Sequence, residues 1–491
     1  MTANDIRNIA LLGHGGSGKT SLAEQMLFMT KGTDRLGRTA DGNTTCDYDA
    51  EEIKRQISIS LAFAPVNYKG VKINVMDAPG NFDFSGEALS AIRAAECAVL
   101  VGAAKDGLSV GMERSWKMLG KKPRMIFINR TDEDNSDYQS CLDALKGKFG
   151  QAIAPIVAPV IDGNKKVTAI VDLLHNTAYE VKGGKAAACA IPADMADEVE
   201  ALRAELMEAA AGADEELMEK FFGGEAFTTE EIVDGMRKGV KDGLITPVFC
   251  GSAVNQQALD MLLYNMHKLL PSPEHEASTL AEDANGEPVE LHCTEDEPTA
   301  AYVFKTVADP FVGKLSYLRV ISGKVTAGEP LTNARTGEVE KITKPLTVLG
   351  KKQMENDGIG AGDIGAVAKL VSAKTGDTLC DADRVVKLPA PVFPKPSLFM
   401  AVTVAKKGDE GKISSALARL MEEDPTLCYI NNAETHQQVI GGLGEQHLDV
   451  VKAKLKNKFG VEIGLEAPRI AYRESIRKAC QKQGRHKKQT G

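Results

Sequence analysis

The sequence predicts a multidomain fold of the α/β and β classes. Its 491 residues exceed the usual size of a single domain about threefold, so we expect three or four domains. Hydrophobic residues make up 43% and charged residues 26%, which is typical of folded globular chains and excludes a disordered one. In the first half of the chain, apolar strand-like runs alternate with segments of helical periodicity. Short β-rich runs separated by glycines occupy the segment 297–388.

We expect a chain that is neither exported nor inserted into a membrane. Its longest apolar runs, such as 97–104, are far shorter than a bilayer requires, and its first residues lack the basic and apolar regions of a leader. The nine cysteines are each more than forty residues from the next, which fits neither a disulfide framework nor a Cys-x-x-Cys zinc site. The sequence therefore predicts a cytoplasmic protein, and we expect a monomer in solution.

The first motif follows a predicted strand over 6–12 and precedes a helical pattern that starts near Leu22. Glycines at this point can turn backbone N–H groups toward the β-phosphate of a nucleotide, while Lys19 places a charge between the β- and γ-phosphates. The Thr20 hydroxyl is a ligand for Mg²⁺. The motif is a P-loop and consists of Gly13, His14, Gly15, Gly16, Ser17, Gly18, Lys19 and Thr20.

A second element follows the predicted strand 71–76 and reads Asp-Ala-Pro-Gly over 77–80. In such an element the carboxylate of Asp77 holds Mg²⁺ through water, and the Gly80 N–H contacts the γ-phosphate. The combination with the P-loop predicts a nucleoside triphosphate bound with Mg²⁺.

Two later elements predict which base is bound. A predicted strand over 124–128 ends in Asn129, Arg130, Thr131 and Asp132, and a carboxylate there can accept both N1–H and N2–H of guanine, which adenine cannot supply. Another strand, 247–250, leads into Gly251, Ser252 and Ala253, whose backbone N–H groups can bond the guanine O6. All four elements end predicted strands, where open α/β sheets bind ligands. We therefore predict a P-loop GTPase domain over 1–275 that binds GTP or GDP.

A subdomain is inserted into this domain. Asp132 and Gly251 are 119 residues apart, whereas one strand and one helix would need only about 25 to 40 residues. We place the inserted subdomain at about 158–247. Its segment 194–222 has apolar residues at helical spacing and an acidic opposite side, which could dock a basic partner or be an ordinary solvated face.

Three further segments follow the GTPase domain. Residues 276–296 are acidic and lack periodicity, which predicts a linker. Short β-rich runs between glycines predict a β-barrel over 297–388. The order βαββαβ over 395–468 predicts a ferredoxin-like α+β domain, in which His447 is a core or surface histidine rather than a metal ligand.

Charge is unevenly distributed along the chain. The whole sequence carries a formal net charge of −9, yet 452–488 contains twelve Lys and Arg against three Glu. This polarity permits one end to contact nucleic acid; the alternative is a solvated helix face that continues into a basic tail.

These features together resemble the elongation factor G family, the ribosomal translocases and their close paralogues, over nearly the whole chain. Three stretches, 422–426, 441–448 and 468–474, are similar to signatures of the family's third domain. The resemblance implies a GTPase stimulated by the ribosome, with ribosomal RNA as a partner. The acidic insertion resembles a subdomain that meets the ribosomal stalk proteins, and the barrel resembles the family's second domain.

The sequence departs from the family at three places. Gln56 and Ser58 stand where the family usually has Gly and Thr, and Ser58 retains a hydroxyl for Mg²⁺. Asn81 stands where the family usually has a His that orients the attacking water, and its amide can hydrogen-bond water but cannot take up charge. Arg130 replaces Lys, and its planar head can still stack on the base.

The resemblance therefore implies Thr20, Ser58 and Asp77 as metal ligands and Lys19, Gly80 and Asn81 as the catalytic group. It also implies that 469–491 is the opening of a fourth domain, the rest of which is absent from this sequence together with the fifth.

Three hypotheses about function are open at this stage. The first is a ribosome-dependent GTPase that serves a step of protein synthesis, with Asn129 and Asp132 in contact with guanine. The second is a GTP-binding, ribosome-associated switch that scarcely hydrolyses GTP, because Asn81 replaces the catalytic His. The third is a ribosomal protection factor of the tetracycline-resistance type, which shares this order of domains. GTP turnover measured with and without ribosomes separates the first two.

Overall fold

A computed structural model describes residues 1–162, 166–182, 185–275, 278–309, 313–404, 408 and 410–487. Within the first 275 residues, the strands are β1 (Ile6–Leu12), β2 (Ala62–Tyr68), β3 (Val71–Asp77), β4 (Cys97–Ala103), β5 (Arg124–Asn129), β6 (Ile153–Pro155), β7 (Val157–Ile161), β8 (Val167–Asp172), β9 (Thr177–Lys182), β10 (Lys185–Cys189) and β11 (Thr246–Cys250). The helices are α1 (Lys19–Met29), α2 (Ala50–Arg55), α3 (Ser85–Ala94), α4 (Val110–Leu119), α5 (Tyr138–Phe149), α6 (Ala196–Ala211), α7 (Glu215–Phe222), α8 (Thr229–Lys241) and α9 (Leu259–Leu269).

A seven-stranded sheet organises this domain, in the order β2-β3-β1-β4-β5-β11-β6. Only the β2–β3 pair is antiparallel; the other neighbours run parallel. Every residue of β1, β4 and β5 is buried, as expected for parallel strands covered by helices on both faces. The four strands predicted to precede nucleotide motifs are β1, β3, β5 and β11, and these predictions are confirmed. Their carboxyl ends therefore meet at one edge of the sheet.

The inserted subdomain contains its own sheet, which the sequence analysis did not predict. Its strands pair antiparallel in the order β10-β9-β8-β7, and helices α6 to α8 follow. The helical spacing over 194–222 corresponds to two helices, α6 and α7. The two helices are separated at Asp214, whose side chain accepts the N–H groups of Glu216 and Leu217 and so caps the second helix.

The predicted linker over 276–296 is wrong for most of its length. Strands β12 (Thr279–Asp283) and β13 (Pro288–Leu291) form an antiparallel hairpin. Asp283 explains the turn, because its carboxylate accepts the N–H groups of Asn285 and Glu287. The short strands escaped detection because only Ala281 and Leu291 are buried in them, so the hydrophobic pattern is sparse.

The next domain is rich in β-structure, as the sequence predicts. The strands are β14 (Ala300–Asp309), β15 (Gly313–Ser322), β16 (Lys324–Thr326), β17 (Pro330–Asn333), β18 (Val339–Lys341), β19 (Leu346–Leu349), β20 (Lys352–Glu355), β21 (Gly358–Gly360), β22 (Ile364–Ala368), β23 (Thr378–Cys380) and β24 (Val386–Lys387). Eight of them form one sheet in the order β18-β17-β23-β14-β15-β22-β19-β20, while β16 pairs with β21, and β24 pairs with β12 of the hairpin.

The two faces of β14 serve different cores. Ala301 and Val303 belong to an internal cluster of the β-rich domain, whereas Phe304 belongs to the core of the GTPase domain. Phe63 on β2 stacks on Tyr317 of β15, with ring centroids 4.4 Å apart. The alternation of side chains along a strand thus joins the first two domains through one continuous apolar core.

The last domain has the predicted ferredoxin-like order. Its elements are β25 (Leu398–Val404), α10 (Glu410–Glu423), β26 (Cys428–Asn432), β27 (Gln437–Gly442), α11 (Glu445–Phe459) and β28 (Ile463–Glu466). The sheet order is β26-β27-β25-β28, and all pairs are antiparallel. The predicted start of α10 near Asp409 falls on a residue outside the described ones. This domain has a separate core, centred on Leu417, Ile440 and Leu455.

The basic segment after β28 has no helix or strand over 467–487, and its residues are mostly exposed. Among the described residues, no helix is both long and apolar enough to span a membrane.

Candidate nucleotide-binding site

The P-loop joins β1 to α1, and its glycines are required by local geometry. Gly18 has φ +90°, and a Cβ at this position would overlap the side-chain amide of Asn129. Gly13 has φ +139°, and a Cβ there would overlap the carbonyl oxygen of Val101. The loop therefore approaches β4 and the end of β5 more closely than any other residue type would allow. Such a cradle suits a phosphate group.

Lys19 lies at the centre of this loop as the first residue of α1. Its side chain is buried, and Nζ donates hydrogen bonds to the carbonyl oxygens of Gly13 at 3.2 Å and His14 at 2.9 Å. Burial lowers the pKa of Lys19 to about 8, against the opposing influence of the Asp77 and Asp47 carboxylates. A phosphate would supply the negative charge that favours the protonated amine.

Gly80 brings the end of β3 against the same loop. A Cβ on Gly80 would overlap Lys19 Nζ and would lie 2.6 Å from the backbone nitrogen of Gly15. The absence of a side chain therefore lets this backbone touch the phosphate-binding loop. The predicted contact of the Gly80 N–H with a γ-phosphate remains a prediction.

The three predicted metal ligands come together. Thr20 Oγ1 donates to Asp77 Oδ2 at 2.7 Å and lies 3.1 Å from Ser58 Oγ. Asp77 is 1% exposed, and its Oδ1 has no hydrogen-bond partner among the described residues. Burial raises the pKa of Asp77 to about 6. A buried carboxylate with a free oxygen beside two hydroxyls suits a hard cation such as Mg²⁺, so the residues fit the ion.

Asp47 is a fourth polar residue at this place, and no sequence motif predicts it. Its side chain is buried, and its pKa is raised to about 7 by burial and then by the charge of Asp77. A hydrogen bond with Ser58 works in the opposite direction. Two carboxylates that disfavour each other's ionisation would be relieved by a divalent cation. No spacing rule links Asp47 to the other ligands, because it lies on an irregular segment before α2.

Asn129 connects the phosphate side of the site to the base side. Its Nδ2 donates to the carbonyl oxygen of Ser17 at 3.0 Å, and its Oδ1 accepts the N–H of Ala253 at 3.0 Å. The residue is 2% exposed. Asn129 therefore holds the P-loop and the loop after β11 in register, which is a positioning role for a residue that we predicted to contact guanine.

The predicted base contacts lie around Asp132. Its Oδ2 accepts a hydrogen bond from Asn255 Nδ2 at 3.1 Å, and the residue is only partly buried. Arg130 has φ +62° and pairs with Glu133, with Nη1 2.9 Å from Oε1. Ser252 is buried and its hydroxyl accepts the N–H of Asn255. Asp132 is thus oriented by a neighbour that carries no motif signal.

Comparisons with known proteins agree with this geometry. Residues 4–272 match the family described as the Elongation factor Tu GTP binding domain. Residues 298–382 match Elongation factor G domain 2, and residues 393–467 match Elongation Factor G, domain III. Elongation factor G of Ureaplasma parvum serovar 3 is 35% identical over 491 residues, covering 99% of this chain and 71% of that protein.

The chain belongs to the elongation factor G family.

A second elongation factor G, from Ureaplasma urealyticum serovar 10, is 34% identical over 490 residues and matches 99% of this chain and 71% of its own length. A solved structure from Thermus thermophilus superposes with a TM-score of 0.85 at 31% identity, over 95% of this chain and 68% of that one. The predicted family and fold class are therefore confirmed, and the chain is a GTP-binding translational GTPase resembling elongation factor G.

Asn81 lies where the GTPase domain meets the ferredoxin-like domain. Asn81 follows Gly80 and begins a short 3₁₀ helix, Phe82–Phe84. Its Oδ1 accepts the N–H of Asp83 at 3.0 Å, and its Nδ2 donates to Gln446 Oε1 of the ferredoxin-like domain at 2.5 Å. Asn81 is recognisable from its motif, whereas no sequence pattern links it to Gln446, since 365 residues separate them.

Proposed function

We propose that this chain hydrolyses GTP in a ribosome-stimulated reaction coupled to a step of protein synthesis. The observation that carries the proposal is the convergence of Thr20, Ser58 and Asp77 beside Lys19 on the phosphate side of one sheet edge. Mg²⁺ would be held by those three side chains, with Asp47 near them. When bound, Mg²⁺ would neutralise the negative charge that develops on the phosphate groups.

The chain's own residues supply the remaining steps. The P-loop backbone binds the phosphates, and Lys19 places its ammonium between the β- and γ-groups. Gly80 offers an N–H to the γ-phosphate, so that the segment after it can sense whether that phosphate is present. Asn81 orients the attacking water by hydrogen bonding, although its amide cannot accept a proton.

Asp132 selects guanine in this proposal. The expected consequence is that GTP and GDP bind while ATP does not, since adenine has no pair of donors for the carboxylate. In Asp132→Asn, GTP affinity should fall by several kcal/mol and affinity for XTP should rise, because the xanthine O2 can accept from an amide. Asp134→Asn is the matched control, because Asp134 is an exposed carboxylate two residues away. Unchanged GTP affinity in Asp132→Asn would show that Asp132 does not select guanine.

Turnover with and without ribosomes tests the proposal as a whole. We expect slow intrinsic hydrolysis that ribosomes accelerate. Binding of GTP with no turnover under either condition would instead favour the passive switch, and Asn81→His would then be expected to restore hydrolysis. If Asn81→Ala leaves turnover unchanged, Asn81 has no role in the reaction.

The partner surfaces follow from charge and exposure. We propose that the exposed basic segment, which includes Arg477, Lys478 and Lys482, contacts ribosomal RNA, and that the insertion with exposed Phe222 meets the stalk proteins. A cytoplasmic monomer fits this proposal. Replacing the three basic residues with alanine should weaken ribosome binding and reduce its salt dependence, by a log–log slope of about 0.7 to 0.9 for each phosphate that is no longer neutralised. An unchanged slope would mean that this basic segment is solvated and does not contact ribosomal RNA.

A further inference from the structure

The start of helix α11 is held by a residue from another domain. The residue before this helix is Gly444, which has no side chain to cap it. Asp83 of the GTPase domain takes that position instead, because its Oδ2 accepts the N–H of His447 at 3.2 Å. A Cβ on Gly444 would overlap the Asp83 carboxylate. A carboxylate at a helix N-terminus is stabilising, so the ferredoxin-like domain is anchored three residues after Gly80.

The side chain of His447 is fixed within its own domain. His447 Nδ1 accepts the N–H of Leu443 at 3.0 Å, so this nitrogen carries no proton. The proton is therefore on Nε2, which lies 2.8 Å from Asp424 Oδ2. His447 is 2% exposed and cannot turn without breaking both contacts. The first turn of α11 consequently moves with the ferredoxin-like domain.

Apolar contacts place the segment after Ser58 and the segment after Asn81 against the same helix, α11. Ile59 follows the predicted metal ligand Ser58, and Phe84 lies three residues after Asn81. Ile59, Phe84 and Val450 of α11 form one small buried cluster. A displacement of α11 would therefore disturb the packing of both segments.

Gln446 of α11 contacts Asn81, the residue that we propose orients the attacking water. Its Oε1 accepts from Asn81 Nδ2 at 2.5 Å, while Asn81 Oδ1 accepts the N–H of Asp83. Both groups of the Asn81 amide are thus engaged along the domain boundary, and the amide is directed at α11. While the amide makes both of these hydrogen bonds, it is not free to turn toward a water on the phosphate side.

We propose that Gln446 is a positioning residue for GTP hydrolysis, which restrains Asn81 until the ferredoxin-like domain moves. This inference rests on the proposed role of Asn81 in the reaction. Release of one hydrogen bond is worth about three- to tenfold in an equilibrium between held and free amide. Gln446→Ala should therefore raise the intrinsic kcat for GTP about three- to tenfold and leave KM unchanged. The ribosome-stimulated rate should change less, so the stimulation factor should fall.

Two variants separate this role from a structural one. Gln446→Glu keeps an oxygen acceptor for Asn81 Nδ2 and suits a helix N-terminus, so its kcat should match that of the parent protein. Asp449→Ala alters an exposed residue one turn further along α11 and should leave kcat unchanged. Gln446 is itself exposed, so none of these changes removes a buried side chain.

The double variant decides whether Gln446 acts through Asn81. With Asn81→Ala already in place, adding Gln446→Ala should give no further increase in kcat. An equal increase in both backgrounds, or an unchanged or lower kcat in Gln446→Ala alone, would overturn the inference. A loss of turnover in Asn81→Ala alone would keep the proposed function in either case, whereas no loss would overturn the role of Asn81 and this inference with it.

Discussion

Replacing Glu96 or Arg319 tests how the GTPase domain is attached to the β-rich domain. Arg319 Nη2 on β15 lies 2.5 Å from Glu96 Oε1, and both side chains are 6% exposed. Glu96 Oε2 accepts from Asn8 Nδ2 at 2.7 Å, and the same Nδ2 donates to the carbonyl oxygen of Gly362 at 2.9 Å. The perturbations are Glu96→Gln, Arg319→Met and the two combined.

The expected magnitude follows from burial. Either single change leaves one buried charge without its partner, which costs about 3 to 5 kcal/mol. The double variant buries no charge, and its glutamine can still accept from Asn8. We therefore expect the double variant to lose less stability than either single one, which is a strongly non-additive result for two residues in contact. At the surface the same pair would contribute about 1 kcal/mol or less.

Differential scanning calorimetry is the suitable assay, because a multidomain chain need not unfold in one step. The transition assigned to the joined GTPase and β-rich domains should move down by several degrees in each single variant and recover in the double variant. Lys344→Met is the matched control, because Lys344 pairs with Glu355 at 2.7 Å but both are well exposed. Losses below about 1 kcal/mol, or single effects that simply add, would refute the reasoning.

Three further predictions concern the nucleotide site. Gly18→Ala should abolish nucleotide binding in a titration, because its Cβ would displace Asn129, whereas Gly107→Ala, at φ +62° with open space around it, should bind normally. Gln56 ends α2 at φ +54°, so Gln56→Gly should raise the free energy of unfolding by about 1 kcal/mol in chemical denaturation, and Gln56→Ala, which keeps the strain, should not. Mg²⁺ binding should release protons between about pH 6 and pH 7 and little above about pH 8, since a cation favours the ionised forms of Asp77 and its neighbour Asp47. Calorimetric titration in buffers of different ionisation enthalpy measures that release, and its absence at pH 6 would contradict the raised pKa values.

The sequence was sufficient wherever residues near one another in the chain carry the signal. Strands β1, β3, β5 and β11 and the P-loop were predictable because apolar runs end in Gly, Asp and Asn at fixed spacing. The ferredoxin-like order was predictable because its helices are amphipathic. The hairpin β12–β13 was not, because few of its residues are buried.

Contacts between distant segments were beyond the sequence for a physical reason. Asp47, Asn255 and Gln446 acquire their places only through tertiary packing, and each is an ordinary polar residue in its local segment. Asn129 shows a subtler limit. Its motif predicts contact with guanine. Its hydrogen bonds also join the P-loop to the loop after β11, and a single motif cannot predict a contact between two other segments.

The hairpin β12–β13 has a consequence for recombination between relatives. Glu282 and Asp283 of β12 pair with Lys387 and Val386 near the far end of the β-rich domain, so a junction placed at 276–296 would cut through a sheet. The segment 389–396 contains four prolines and no helix or strand. Chimaeras that exchange everything before it as one block should fold, while those that exchange the GTPase domain alone must also rebuild the apolar and ionic contacts with the β-rich domain. The block that can be exchanged between relatives in this part of the protein is thus larger than a single domain.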